Sequence, residues 1–361
     1  MLYQLEFRIY QRKFKRPLRT SHGVWDVREG IILKLTGENN RIGWGEIAPL
    51  SWFGSESFDQ ALDFCSQLSG NISEETIFAI SAELPACQFG FESALSQERN
   101  APPPAPPWQG GEQDKRNSDP PWQEQIGNLI YPCEGEKTLS QYSGLLPAGE
   151  TALSALQMLW KQGFRTFKWK IGVAAIEQEL QVFQQLIEAM HDLADRKPAL
   201  LRLDANGGLN YSQAETWLQA CDNMLEIPDF SVSIEFLEQP LSVPQFDEML
   251  ALSAAYKTPI ALDESVANLD RIQECYDRGW RGIFVIKPAI CGSPSQLRKF
   301  CQTHNIDAVF SSVFETQIGR QAALNLATEL SLNSRALGFG TNDWFDDKDR
   351  ETWLQHLWQQ I

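Results

Sequence analysis

The chain has no apolar run approaching the roughly 20 residues that cross a bilayer. Its first residues, MLYQLEFRIYQRKFKRPLR, alternate polar and apolar positions where a secretory leader would need an unbroken apolar core. Neither a transmembrane helix nor a signal peptide is expected, and the protein is expected in the cytoplasm. Basic charge is also short, with 31 Lys and Arg against 47 Asp and Glu, a formal net charge of −16. The only basic block, Arg12 to Arg19, is interleaved with apolar residues and reads as a solvated strand edge. Nucleic acid and anionic membrane are therefore excluded as partners. The seven cysteines, at 65, 87, 133, 221, 275, 291 and 301, include no C-x-x-C pair, so neither a disulfide framework nor a zinc site is expected.

What remains is an ordinary globular composition, 43% hydrophobic and 22% charged. The length of 361 residues suffices for a barrel of roughly 200 to 250 residues with a smaller second domain. Residues 2–10 and 29–35 read as strands with a glycine-containing return at 37–43, and residues 58–68 and 80–95 carry helical spacing. An α+β domain is thus expected over 1–96. The proline- and glycine-dense stretch that follows, with APPPAPPW and SDPPW, reads as an extended or mobile insertion or linker over 97–130.

Beyond it, short apolar runs alternate with segments of helical period, at 144–147, 166–171, 199–203, 232–237, 259–262, 282–286, 307–313 and 336–339. Eight such runs predict a parallel α/β barrel over 131–335, completed by a last strand and a C-terminal segment over 336–361 that returns to the first domain. A doubly wound open sheet is the alternative, but no G-x-G-x-x-G or phosphate loop follows the first strand.

Chemistry sits at the ends of the runs. The second ends in Lys168-Trp169-Lys170, the third in Asp204-Ala205-Asn206, the fourth in Glu238-Gln239-Pro240, the fifth in Asp263-Glu264 and the sixth in Lys287-Pro288. A barrel gathers such ends on one face. Each acidic residue alone could cap the next helix, but three on consecutive strands imply a shared cation. Carboxylates without His or Cys point to Mg²⁺ rather than zinc. Lys168 and Lys170 share one face of their strand, and with Lys287 they bracket the carboxylates. Apolar surroundings and neighbouring cations are expected to lower such ammonium groups from about 10.4 toward neutrality, as a general base requires.

These motifs, KWK, LDAN, LEQP, LDES and IKP, resemble the muconate-lactonising subgroup of the enolase superfamily in order and spacing. GWGEIAPL at 43–50 looks like the capping domain of that superfamily. LRTSHG, ICGS after Lys287 and SSVFETQIG at 311–319 are most similar to the o-succinylbenzoate synthase family. The resemblance implies an enolase-type (β/α)7β barrel with an N-terminal α+β cap. It further implies Mg²⁺, replaceable by Mn²⁺, on Asp204, Glu238 and Asp263, with Asn206 orienting the ligands. Lys170 would remove the proton beside a carboxylate and return one to the departing hydroxyl. Lys287 would stabilise charge from the opposite face, and Lys168 would touch the substrate carboxylate and keep the pKa of Lys170 low. The succinyl tail would reach Ser311, Ser312 and the backbone of Gly338, while the loop from Thr20 to Trp25, with His22, would close over the site.

The partner so implied is a small carboxylate, bound by a monomer or homodimer. A racemase of N-succinylamino acids or a muconate-type cycloisomerase would use the same groups. A Schiff-base aldolase would use a barrel lysine as nucleophile and leave the carboxylates without a task, and a barrel that only binds ligand would need none of them.

Overall fold

The computed structural model describes residues 1–20, 23–68, 70–100, 139–194, 198–227, 231–341, 344–345 and 350–359. Two sheets organise these residues. The first is antiparallel, in the order β3-β2-β1-β4, from β1 (Leu2–Thr20), β2 (Gly23–Thr36), β3 (Ile42–Ile47) and β4 (Asn71–Ser73). The second is parallel and runs in sequence order through β5 (Ser143–Leu146), β6 (Thr166–Lys170), β7 (Ala199–Asp204), β8 (Val232–Glu238), β9 (Ile260–Leu262), β10 (Ile283–Ile286) and β11 (Ala308–Phe310). Leu337 bridges Tyr142 and Gly338 bridges Ser311, both in parallel sense. These two residues join the first and last strands, so the sheet closes and the open doubly wound alternative is excluded.

The barrel strands read as apolar runs because both of their faces are covered. Between them lie α4 (Thr151–Gln162), α5 (Ile176–Leu193), α6 (Tyr211–Leu225), α7 (Phe246–Ala255), α8 (Leu269–Asp277), α9 (Pro288–Cys291), α10 (Pro294–His304) and α11 (Gln317–Leu330), numbered after α1 (Phe58–Gln67), α2 (Glu74–Phe78) and α3 (Pro85–Asn100) of the cap. Local signals set their ends. Asn210 and Gln213 form a reciprocal capping box at the start of α6, and Gly163, at φ 111°, ends α4 in the left-handed conformation.

The cap differs from expectation in two places. β1 and β2 form one long hairpin, paired as far as Thr20 with Gly23, where shorter strands were expected. The extra pairing is carried by the polar half, where Arg12 lies 3.8 Å from the ring centre of Phe345 and Arg16 lies 4.7 Å from that of Trp344. The helix expected at 80–95 starts at Pro85, which suits a first helical turn and no interior position. It continues to Asn100, through residues assigned from sequence to the insertion. The remainder of the proline-rich stretch, 101–138, lies outside the described residues, as does His22. At the other end, α12 (Arg350–Gln359) lies on the cap, with Trp358 edge-on to Trp44 at 4.8 Å and Trp353 edge-on to Tyr10 at 5.7 Å.

Buried carboxylates of the cap tie it to the barrel. Glu46 accepts the backbone N–H groups of Thr316 (2.8 Å) and Gly319 (2.9 Å) at the start of α11, together with the hydroxyls of Thr316 and Tyr10. Glu92 likewise accepts Ser295 N–H (3.0 Å) at the start of α10 and the Ser293 hydroxyl. Acidic groups placed on helix N-termini satisfy donors that would otherwise be buried unpaired. Among the described residues, no helix is long and apolar enough to cross a membrane.

Candidate active site

Asp204 and Glu238 end β7 and β8 and are paired in register, and Asp263 follows β9 directly. Lys168 and Lys170 lie on β6, at one side of this trio, and Lys287 follows β10 at the other. All six stand at or beside the C-terminal ends of neighbouring strands, as the order of the runs predicted. One layer deeper, the buried Arg202 donates to Glu235 (2.7 Å) and to the carbonyl of Ala336 (2.7 Å), while Arg335 joins Glu235 (2.8 Å) to Asp307 (2.6 Å). This network and the apolar cluster of Phe236, Ala261, Ile283, Val285 and Val309 lie on the barrel strands below the carboxylates.

The lysines have different partners. Lys168 Nζ lies 2.9 Å from Asp204 Oδ2 and 2.7 Å from Glu238 Oε1. Burial disfavours its ammonium, but Asp204, Glu238 and Asp263 outweigh this and push its pKa well above the usual lysine value. Lys168 is thus held as a cation, its nearest charges being carboxylates. Lys287 Nζ donates to Asp263 Oδ1 and lies 3.9 Å from the ring centre of Phe53, which the cap delivers. Lys170 Nζ donates to a neutral acceptor, Asn206 Oδ1.

The carboxylates repel one another. Burial raises Glu238 well above the carboxylate range, with Asp204 and Asp263 adding to it against the opposing pull of Lys168. Asp204 is held below the range: burial opposes this, but the charge and hydrogen bond of Lys168, the charge of Lys170 and the Asn206 N–H prevail. Among the described residues no three His, Cys, Asp or Glu side chains already form a metal cage; here the ammonium groups of Lys168 and Lys287 take carboxylate oxygens. The donor set nevertheless fits a hard divalent cation, with three oxygen ligands from adjacent strands, no imidazole or thiol, and mutual repulsion that a cation relieves.

Three features of the site were not singled out from sequence. Gln239, buried and at φ 38°, accepts Asp263 N–H (3.0 Å) and Ser265 N–H (3.2 Å) and donates to Ser265 Oγ (2.8 Å). It holds the Asp263 backbone to β8 at the cost of a left-handed conformation. Glu264 accepts Asn206 Nδ2 at 3.0 Å, and burial followed by the charges of Asp263 and Asp204 raises its pKa to about 7. Phe53 had no local signal, since its role comes from docking of the cap.

The remaining predicted residues lie around the seventh and eighth runs and the hairpin. Ser311 bridges Gly338, whose missing side chain is required because a Cβ there would come within 2.5 Å of Ser311 Cβ. The Ser312 hydroxyl donates to Glu315, with oxygens at 2.9 and 3.0 Å, and accepts Phe314 N–H. Thr20 stands at the tip of the β1–β2 hairpin, paired with Gly23. Trp25, on the returning strand, packs edge-on to Phe314 at 5.6 Å and to Trp52 at 5.9 Å, so the hairpin reaches the mouth of the barrel.

Comparison with known proteins bears on this geometry. Residues 150–355 match the family described as enolase C-terminal domain-like, and residues 10–98 match the MenC N-terminal domain. The chain is 36% identical over 343 residues to the o-succinylbenzoate synthase of Thermosynechococcus vestitus, which covers 94% of this chain and 92% of that protein. The chain belongs to the o-succinylbenzoate synthase family of the enolase superfamily. The Edwardsiella ictaluri o-succinylbenzoate synthase is 27% identical over 84% of this chain and 80% of its own length. Among solved structures, o-succinylbenzoate synthase from Thermosynechococcus elongatus BP-1, complexed with Mg in its active site, superposes with a TM-score of 0.78 at 34% identity. That match covers 99% of this chain and 100% of the other. The L-Ala-D/L-Glu epimerase of Bacillus subtilis, at 20% identity, TM-score 0.64 and coverage of 95% and 90%, shares the fold.

Proposed function

We propose that the protein is a hydro-lyase that dehydrates 2-succinyl-6-hydroxy-2,4-cyclohexadiene-1-carboxylate to 2-succinylbenzoate, in the cytoplasmic route to menaquinone or phylloquinone. Its metal is Mg²⁺, with Mn²⁺ as a substitute, held by Asp204, Glu238 and Asp263. The bound ion supplies a fixed positive charge for the substrate carboxylate and for negative charge that develops beside it.

The chain's own residues divide the remaining work. Lys170 takes the proton α to the carboxylate and gives one to the departing hydroxyl, since a syn elimination keeps both groups on one face. Lys287 stabilises charge on the other face, and Lys168, paired with Asp204 and Glu238, keeps the pKa of Lys170 low and contacts the substrate carboxylate. Ser311 or Ser312 and the backbone near Gly338 receive the succinyl tail, and the end of the hairpin at Thr20 closes over the site.

The observation that carries this reading is the unequal environment of the two facing lysines. Lys170 meets a neutral amide, whereas Lys287 is paired with Asp263 and stacked on Phe53. In a one-base dehydration Lys287 stays charged throughout, which an aromatic face suits; a two-base racemisation needs it to give up and regain a proton. Ion pairing at Lys168 and Lys287 equally disfavours a Schiff-base nucleophile, which must be a neutral amine.

The test is ultraviolet detection of 2-succinylbenzoate formation with Mg²⁺, with Mn²⁺ and with excess EDTA, beside racemisation of N-succinylamino acids. Turnover that requires the cation, with slower or no racemisation, is expected. Faster racemisation, or full turnover in EDTA, refutes the reading.

A further inference from the structure

Asn206 lies between Lys170 and Glu264. Its Oδ1 accepts the Lys170 ammonium and its Nδ2 donates to Glu264 Oε1 at 3.0 Å. Its backbone N–H is bound to Asp204 Oδ1 at 3.0 Å and its φ is 43°, so the position of the side chain is fixed from below. The amide can still turn about its last bond, which exchanges oxygen for nitrogen with little change of shape. Glu264 Oε1 accepts the Nδ2 donor, which leaves Oδ1 to face Lys170.

Glu264 is an expensive residue to place there. Its other oxygen, Oε2, is buried with no partner, and no lysine or arginine is paired with it among the described residues. A half-satisfied buried carboxylate costs stability. Its one bond leads to the amide that touches Lys170. We infer that Glu264 is a positioning residue: through Asn206 it presents an acceptor, and not a donor, to the Lys170 amine. This rests on Lys170 being the proton-transferring group of the dehydration. With the amide turned over, two N–H groups would oppose the ammonium and swing it from its place beside Asp204. Proton transfer tolerates such misplacement poorly, with losses of about 100-fold for an ångström.

The experiment compares Glu264→Ala and Glu264→Gln in the Mg²⁺-loaded full chain. The glutamine side chain can still accept Asn206 Nδ2 through its own carbonyl, whereas the alanine methyl cannot. The expected result is a kcat at least tenfold lower for E264A with KM within about threefold, and recovery of most of kcat in E264Q. The Asn206 side-chain amide protons, followed by NMR in the protein without substrate, should be protected from exchange in the unmodified protein and in E264Q and lose protection in E264A. Unchanged kcat in E264A, equal losses in both variants, or unchanged Asn206 protection overturns the inference. If the unmodified protein forms no 2-succinylbenzoate, the proposed reaction fails on its own account, and the amide signals still decide whether Glu264 orients Asn206.

Discussion

Replacing Glu46 by Ala should loosen the cap from the barrel. Four donors converge on this carboxylate: the Tyr10 and Thr316 hydroxyls and the Thr316 and Gly319 N–H groups. Hydrogen bonds to an ionised acceptor contribute about 1.5–3 kcal/mol each. They are not additive here, because the alanine variant no longer buries a charge. The donors left without an acceptor cost about 1–3 kcal/mol each; with water entering the space of the lost side chain to meet some of them, a total of about 3–5 kcal/mol is expected, which is large against a folding free energy of roughly 5–15 kcal/mol. With an unfolding entropy near 2.1 cal/mol/K per residue over 361 residues, a cooperative transition should fall by roughly 4–7 °C. Glu46→Gln keeps an acceptor for part of the set and should lie between. Urea denaturation followed by tryptophan fluorescence gives the free energy, and calorimetry gives the temperature. A loss below about 1 kcal/mol for E46A would show that the carboxylate does not fasten the domains.

Lys170→Met removes the amine while retaining a chain of similar length, and kcat should drop by roughly 10²–10⁴-fold with little change in KM; a loss of less than tenfold contradicts the base assignment. Lys287→Arg keeps the charge, so it should retain measurable dehydration while abolishing any racemisation, read in parallel ultraviolet and polarimetric assays. Gly338→Ala forces a methyl group against Ser311 at the seam that closes the barrel, and should destabilise by about 1–3 kcal/mol in urea. Asp307 is held below the usual range: burial opposes this, but the hydrogen bonds of Arg335 and Asn333 and the charge of Arg335 prevail. Its folded pKa lies below its unfolded value, so this pairing stabilises the protein above about pH 4 and is lost as pH falls through the depressed folded value. Arg335→Met should flatten that part of the acid unfolding profile; an unchanged profile argues that the pair contributes nothing.

The barrel was legible because strands covered on both faces are apolar runs, and because polar residues interrupt those runs only where the strands end. Asp204, Glu238, Asp263 and the three lysines follow from that rule and from the sequential order of a closed parallel sheet. The eighth run was harder to delimit, since only Leu337 and Gly338 bridge their neighbours. Contacts between distant segments left no local trace. The bond from Asn206 to Glu264 spans 58 residues and that from Glu46 to Thr316 spans 270; neither disturbs a period or a cap signal. The far half of β1 was read as a strand edge, but its pairing with the start of β2 was missed for a related reason. Its alternating charges mimic a solvated edge, and the rings that hold them, Trp344 and Phe345, lie at the other end of the chain. The pairing of Lys168 with Asp204 and Glu238 could not be read either, because a strand order says which charges are near without saying which pair.

The central claim is that three carboxylates share one cation between two amines that face the substrate from opposite sides. A crystal structure of the Mg²⁺-loaded protein with 2-succinylbenzoate tests it most directly. One ion should bind oxygens of Asp204, Glu238 and Asp263 at about 2.0–2.1 Å, with the Lys170 and Lys287 nitrogens on opposite faces of the product ring. An ion held elsewhere, or both amines on one face, would contradict the account.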